Sequence, residues 1–219
     1  MLRRTPELDL YLVRHAEAYK NLLGVHGGGD QRLTPRGEVQ AQMLGEYFLS
    51  HTLSNPNSLQ IVHQPEGRSK ATAQHIGRAA SKATVECSEL NGVGLGLAGG
   101  LSKEELARQY PEVAQALAAW RNNTGSLHSR PKVPGSEPMD QFAERIHQGL
   151  LSSIDSAADS LAIIGTTSTL NMINHLLTND GSFCRSRYNF IHFPLGGITT
   201  WQISSEAPIQ TTPITTLPA

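Results

Sequence analysis

The segment LVRHAE at residues 12–17 places Arg14 and His15 directly after an apolar run that begins at Leu8. In an open α/β sheet, side chains at the carboxyl end of a strand point into the crevice where ligands bind. A guanidinium holds phosphate through two parallel hydrogen bonds, and a neutral imidazole is a nucleophile. The pair therefore predicts chemistry on a phosphate group. The hexapeptide alone is equally compatible with a strand that ends in two exposed polar residues.

The composition limits the class of protein. The 219 residues are 38% apolar and 17% charged, which is typical of one large globular domain. The formal net charge of −1 predicts neither a nucleic-acid partner nor a membrane partner. The N-terminus has no signal-peptide pattern, and no apolar stretch approaches the length of a membrane span. With only Cys87 and Cys184, we expect free thiols, no zinc site and a cytoplasmic protein.

Short apolar runs alternate with helical patterns along the chain, which indicates βα units. We predict a three-layer α/β sandwich, with a mostly parallel central sheet flanked by helices. The expected strands lie at 8–13, 59–62, 84–87, 161–165, 191–193 and 198–203, and the tail after Ser205 is rich in Pro and Thr and is predicted to be irregular. Ser102 and Glu105 form a capping-box pattern, and Pro111 starts a further helix. We expect a single domain over 1–219, with a helical insertion at about 90–140 that covers the pocket.

Three sequence blocks carry a family resemblance. The first is LVRHAE with Asn21, the second is Asp30 followed by LTPRG at 33–37 and Gln40-Ala41, and the third is Pro65, Arg68 and Thr72-Ala73. Together they resemble the histidine phosphatase superfamily, which includes the cofactor-dependent phosphoglycerate mutases. Each block alone is a weak signal, but the combination over the first third of the chain is highly specific. Weaker similarity continues to Trp201.

The resemblance implies a role for each matched residue. His15 is the nucleophile that takes a phosphoryl group, and water or an acceptor then discharges the phosphohistidine. Arg14 and Arg68 hold the phosphoryl oxygens, and Asn21 adds a neutral donor. Glu89 is the candidate general acid, which protonates the leaving oxygen and later activates water. Read without the resemblance, Arg68 is a solvated helix-start cation and Glu89 an ordinary loop carboxylate. Because arginines neutralise the charge, no metal and no other cofactor is expected.

The family pattern breaks at the fourth predicted strand. A second histidine is typical of the segment that aligns with residues 163–170, and Thr166 stands in its place. Loss of one such donor costs on the order of 10² to 10³ in rate. Thr166 nevertheless opens a helix, where free N–H groups form an anion site, so we assign it to phosphate binding. His63 and His26 are candidates to replace the imidazole, although a buried strand residue and an exposed loop residue are the simpler interpretations.

Two further departures concern the mouth of the pocket. The family's glycine-aromatic-acidic-glycine element is reduced to LAGG at 97–100, and no basic residue lies between Gly92 and Gly100. Gln64 replaces a usual serine and Glu66 replaces an apolar residue. The reduced element predicts a roomier and less polar mouth. A Glu66 carboxylate that faces the rim would repel highly anionic substrates, so we expect a substrate that is not polyanionic.

Three functions follow from this sequence. The first is a phosphomonoester hydrolase that forms a phosphohistidine at His15 and acts on a small phosphorylated metabolite. The second is a repurposed enzyme of a specialised biosynthetic pathway, which uses the same pocket for other chemistry. The third is a non-catalytic module that binds an anionic small molecule. A mutase is less expected, because a doubly phosphorylated intermediate needs more basic residues. A homodimer is compatible with the resemblance.

Overall fold

The computed structural model describes residues 2–52, 59–122, 130–157 and 159–217. These residues form a six-stranded sheet of β1 (Leu8–Arg14), β2 (Leu59–His63), β3 (Thr84–Glu86), β4 (Ser160–Gly165), β5 (Gly197–Ile203) and β6 (Ile209–Thr216). The spatial order is β3-β2-β4-β1-β5-β6. Strands β1 to β4 are parallel, β5 is antiparallel to β1, and β6 is antiparallel to β5. The predicted α/β fold with a mostly parallel central sheet is confirmed.

Helices cover both faces of the sheet. They are α1 (Tyr19–Leu22), α2 (Pro35–Thr52), α3 (Gly67–Ala80), α4 (Lys103–Gln109), α5 (Pro111–Arg121), α6 (Met139–Ser156) and α7 (Thr167–Thr178). Ser102 and Glu105 form the predicted capping box at the start of α4. Among the described helices, none is long and apolar enough to cross a membrane.

Strand β1 shows how the layers are assembled. Its side chains alternate between the two faces, as the pleat requires. Leu10 and Leu12 belong to the apolar core formed with α6 and α7, whereas Val13 belongs to the core formed with α2 and α3. The strand is therefore covered on both faces, and the residues at and just after its carboxyl end are the ones that can face a ligand.

The ends of three neighbouring strands lie level with one another. Arg14 on β1 pairs with Gly165 on β4, and the His15 N–H donates to the Gly165 carbonyl at 3.1 Å. His63 on β2 pairs with Ile164. The residues that follow these strands, His15, Gln64 and Thr166, therefore meet at one edge of the sheet, although they are far apart in sequence.

The LTPRG block has a packing role next to this edge. The Thr34 hydroxyl accepts from the Gly37 N–H at 3.0 Å, so Thr34 caps α2. A Cβ atom on Gly37 would lie 1.9 Å from the Glu17 carbonyl oxygen. Only glycine permits this close approach, because a side chain would overlap the backbone. The block thus seats α2 on the segment that directly follows His15.

Two sequence predictions about strands are wrong. Residues 191–193 form no strand, because Asn171 bonds both backbone groups of Ile191: its Oδ1 accepts from the N–H at 2.6 Å and its Nδ2 donates to the carbonyl at 2.8 Å. The tail predicted to be irregular instead contains β6. This strand is rich in β-branched residues and lies at the sheet edge, where Pro213 is tolerated because an outward-facing N–H is not needed.

Candidate active site

His15 is buried, with 2% of its surface exposed. Its Nδ1 lies 2.8 Å from the Ala16 carbonyl oxygen, which can only accept, so Nδ1 carries the proton. Its Nε2 accepts a hydrogen bond from Nε of Arg68 at 3.0 Å. Burial, with the charges of Arg68 and Arg14, lowers the pKa of His15 well below its ordinary value. The imidazole is therefore neutral at pH 7 and presents an unprotonated nitrogen.

Two guanidinium groups flank this nitrogen. Arg68 lies in the first turn of α3 and also donates through Nη1 to the side chain of Gln31. Arg14 donates through Nη1 to the Phe193 carbonyl, and its buried Nε has no hydrogen-bond partner in the described chain. Burial and the nearby Arg68 lower the pKa of Arg14 to about 10, which leaves it charged at neutral pH. A buried cation with an unused donor is suited to binding an anion.

The short helix α1 brings two further polar side chains to the cavity. Asn21 uses its Oδ1 to accept from the Ala18 N–H at 2.9 Å, so its amide nitrogen is the group left for a ligand. Lys20 is also buried, and burial together with Arg68 lowers its pKa to about 8. Sequence reasoning missed Lys20, because a lysine in a helix is usually a solvated cation.

Thr166 lies at the N-cap of α7 and is buried, and Thr167 and Ser168 line the same cavity. The fully buried Gln64 fixes this strand end. Its Oε1 accepts from the Thr166 N–H at 2.5 Å, and its Nε2 donates to the Thr169 hydroxyl at 2.6 Å. Gln64 thus ties the end of β2 to the start of α7, whose first residues line the cavity.

Glu89 is placed outside this cavity. It is exposed, its carboxylate accepts from the Ser88 hydroxyl at 3.1 Å, and its carbonyl accepts from Arg145 at 2.7 Å. The structure therefore does not bring Glu89 together with His15, and its placement gives no support to the predicted acid role. The carboxylate that does line the cavity is Glu66. Its signal in the sequence is an acidic residue at a position that is apolar in the family pattern, which by itself predicts only a charge at the rim.

The cavity has a volume of about 350 Å³. Besides the groups near His15, its lining includes Val93, Leu95, Trp120, Arg121, Arg130, Phe142, Tyr188 and Phe190. Residues within 90–140 thus form part of the cavity wall. The expectation of a less polar mouth rests on one loop, and Lys20, Arg121 and Arg130 from other segments add positive charge to the cavity wall.

The other imidazoles differ in position. His63 has the same local geometry as His15, with Nδ1 2.8 Å from the next carbonyl oxygen, but it is not part of the cavity wall. His26 lines the cavity, contacts Arg121 at 3.4 Å, and has its pKa lowered to about 4 by burial and neighbouring cations. His192, which sequence analysis did not consider, is exposed and also lines the cavity. In the described chain, no group of three or more His, Cys, Asp or Glu could hold a metal ion.

Comparison with known families decides the classification. The sequence model of the histidine phosphatase superfamily (branch 1) matches residues 10–204, which is most of the chain. The chain belongs to the histidine phosphatase superfamily. In this superfamily member, Arg14, His15 and Arg68 are the matched residues that the structure brings into direct proximity.

A curated relative agrees with the classification, and solved structures share the fold. The chain is 30% identical over 149 residues to a probable phosphoglycerate mutase GpmB from Salmonella choleraesuis, a match covering 68% of this chain and 64% of the relative. Among solved structures, a mycobacterial glucosyl-3-phosphoglycerate phosphatase with bound VO3 aligns with a TM-score of 0.71 and 18% identity, over 89% of this chain and 90% of that one. Phosphoserine phosphatase from Entamoeba histolytica, in complex with 3-phosphoglyceric acid, aligns with a TM-score of 0.71 and 21% identity, over 95% of this chain and 98% of that one. These structural matches show the same fold.

Proposed function

We propose that this histidine phosphatase superfamily member is a phosphomonoester hydrolase that passes the phosphoryl group through Nε2 of His15. The observation that carries the proposal is a buried, neutral imidazole whose unprotonated nitrogen lies between two arginines and faces a cavity. Nε2 attacks phosphorus while the Ala16 carbonyl holds the proton on Nδ1. The positive charge that develops on the ring is stabilised by that hydrogen bond.

The neighbouring groups stabilise the transferring phosphoryl group. Arg68 donates to Nε2 in the free protein, and a phosphoryl oxygen takes over that donor as the nitrogen bonds to phosphorus. Arg14 offers its unused Nε, and Asn21 offers its amide nitrogen. Thr166 and the N–H groups that start α7 face the same oxygens. Preorganised donors of this kind stabilise the charge of the transition state without reorganisation.

The experiment that tests this function is trapping of the phosphoenzyme. The chain is mixed with ³²P-labelled aryl phosphate, denatured within milliseconds, and digested for mass spectrometry. We expect label that is stable in base and lost in acid, as for a phosphoramidate, and located on the peptide that contains His15. Steady release of inorganic phosphate should accompany it.

The alternative functions give different results in the same experiment. A repurposed enzyme gives neither label nor phosphate release. A non-catalytic module gives no label either, but inorganic phosphate raises its melting temperature through binding to the folded state. Label on a serine, or phosphate release without any acid-labile label, contradicts the phosphohistidine route.

The cavity also supports a substrate class, namely a phosphomonoester with a second negative charge. Arg130 is 8% exposed and Arg121 is half-buried, and neither forms an ion pair with any described residue. The buried indole N–H of Trp120 likewise has no partner among them. Unpaired buried charge destabilises a fold unless a ligand compensates it. Phosphoglycerate and phosphoserine, named for the relatives, each carry a carboxylate beside the phosphate.

We expect Arg130→Met to weaken binding of the second negative charge of such a substrate and to leave binding of its phosphate group unchanged. Loss of one charged hydrogen bond should raise KM for 3-phosphoglycerate by about 10- to 100-fold, whereas KM for an aryl phosphate should change by less than about threefold because the ester lacks the second anion. Steady-state kinetics on both substrates, with the exposed Arg185→Met as the matched control, makes the measurement. Equal losses on both substrates contradict a subsite for a second anion.

A further inference from the structure

Glu66 occupies the N-cap position of α3, but its side chain does not cap the helix. A carboxylate at this position ordinarily accepts from the first free N–H groups. Here the helix start is closed by the Glu66 backbone carbonyl, which accepts from Ser69 and Lys70 at 2.9 and 3.0 Å. The side chain lines the cavity instead, and its Oε2 is buried with no hydrogen-bond partner in the described chain. A buried, unpartnered carboxylate oxygen is costly unless it serves a ligand.

The position of the carboxylate is defined by its contacts across Gly92. A Cβ atom on Gly92 would lie 3.3 Å from Oε1 of Glu66, 3.3 Å from the Thr166 hydroxyl and 3.4 Å from the Ser168 hydroxyl. The three oxygens therefore converge on one point of the cavity wall. Glu66 lies beside the residue that stands where the family has its second histidine.

The charges around Glu66 belong to the phosphate site. Lys20 and Arg68 are close enough for Glu66 to favour their charged forms. A phosphate group bound at Arg14 and Arg68 therefore lies in the same cavity as the Glu66 carboxyl group. Glu66 is therefore placed where its carboxyl group can exchange a proton with an oxygen atom bonded to phosphorus.

We propose that Glu66, rather than Glu89, is the general acid and base of this site, an inference that rests on the proposed hydrolase function. In the first step, Nε2 of His15 bonds to phosphorus, the ester P–O bond breaks, and the leaving oxygen takes the Glu66 proton to become an alcohol. In the second step, a water oxygen bonds to phosphorus and gives its proton to the Glu66 carboxylate. The P–N bond breaks and its electron pair returns to Nε2.

Glu66→Gln tests the role, because it keeps the shape of the side chain and removes the exchangeable proton. An alkyl phosphate such as glycerol 2-phosphate needs a proton on its leaving oxygen, so kcat/KM should fall by about 10²-fold. For p-nitrophenyl phosphate, whose leaving oxygen is a weak base, kcat/KM should change by less than about threefold. Its kcat should fall, and the ³²P-phosphoenzyme should accumulate, because hydrolysis has lost its base.

Glu89→Gln is the matched control, since it makes the same change on an exposed carboxylate outside the cavity. It should leave kcat/KM for both substrates within about twofold of the wild-type value. Thermal unfolding of both variants checks that the fold is retained. The Glu66 role is overturned if the wild-type chain forms the labelled phosphoenzyme but Glu66→Gln keeps the wild-type ratio of alkyl to aryl phosphate turnover. A selective loss of alkyl phosphate turnover in Glu89→Gln overturns it as well. A wild-type chain that neither labels nor turns over either ester overturns the hydrolase function itself, and the Glu66 role with it.

Discussion

Replacement of His15 by Asn is expected to lower kcat/KM for any phosphomonoester by at least about 10⁴-fold, since removal of a covalent nucleophile is among the largest single losses in enzymes. Asn keeps a polar group at the strand end but offers no lone pair on a ring nitrogen to attack phosphorus. The phosphoenzyme label should disappear together with turnover. Steady-state kinetics and phosphoenzyme trapping on the same preparation make the measurement.

His63→Asn is the matched control for this variant. His63 is also 2% exposed, ends a parallel strand, and bonds Nδ1 to the next carbonyl at 2.8 Å, but it does not line the cavity. The two variants should therefore lose similar amounts of stability in urea unfolding, while only His15→Asn loses turnover. Equal loss of turnover in both variants contradicts the nucleophile and indicates a shared effect on the fold.

The same geometry fixes the sign of the pH dependence. The pKa of His15 is lowered well below its ordinary value by burial and by the two arginines. The imidazole can act as a nucleophile only above its pKa. Protonation of His15 should therefore cause no fall in kcat/KM of the wild type between pH 8 and pH 6. The loss belongs to a more acidic range, where the ring gains its proton.

The strand ends of the site were predictable from sequence because the signal is local. An apolar run followed by Arg14 and His15 indicates a buried strand whose last residues face a crevice, and the structure has this arrangement. The LTPRG block likewise predicts a capped helix, and the contact between Gly37 and Glu17 adds the physical reason for its glycine. The fold class and the location of His15 follow from such short-range patterns.

The carboxylate and the outer cations could not be predicted in the same way. The backbone carbonyl of Glu89 is held by Arg145, which lies 56 positions away in sequence, so the placement of this segment involves a contact that no local motif contains. Arg130 reaches the cavity through the fold of its whole segment rather than through any local motif. Strand β6 was missed for a related reason, since pairing with β5 overrides the irregular appearance of its sequence. A single sequence does not show the direction of a side chain when contacts with residues far along the chain set that direction.

Thr166→His is expected to raise turnover, which is an unusual direction for a substitution at a buried residue. Thr166 lines the cavity, and its hydroxyl lies 3.2 Å from Ser168 and 3.4 Å from Thr169. An imidazole here extends toward the phosphoryl oxygens, as the resemblance implies for the second histidine, and Glu66 lies beside it as a partner. One added transition-state donor should increase kcat/KM for p-nitrophenyl phosphate by on the order of 10² to 10³.

Thr166→Val separates this gain from a simple change of shape, because valine keeps the volume of threonine and removes its hydroxyl. If the Thr166 hydroxyl is a weak donor to the phosphoryl group, valine should lower kcat/KM by about tenfold, the cost of one neutral hydrogen bond, while histidine raises it. Unchanged turnover in the histidine variant, with the fold intact by thermal unfolding, means that Arg14, Arg68 and the start of α7 already supply every donor that the transition state uses. In that case the residue at position 166 is not what limits the rate, and proton transfer by Glu66 becomes the step to measure.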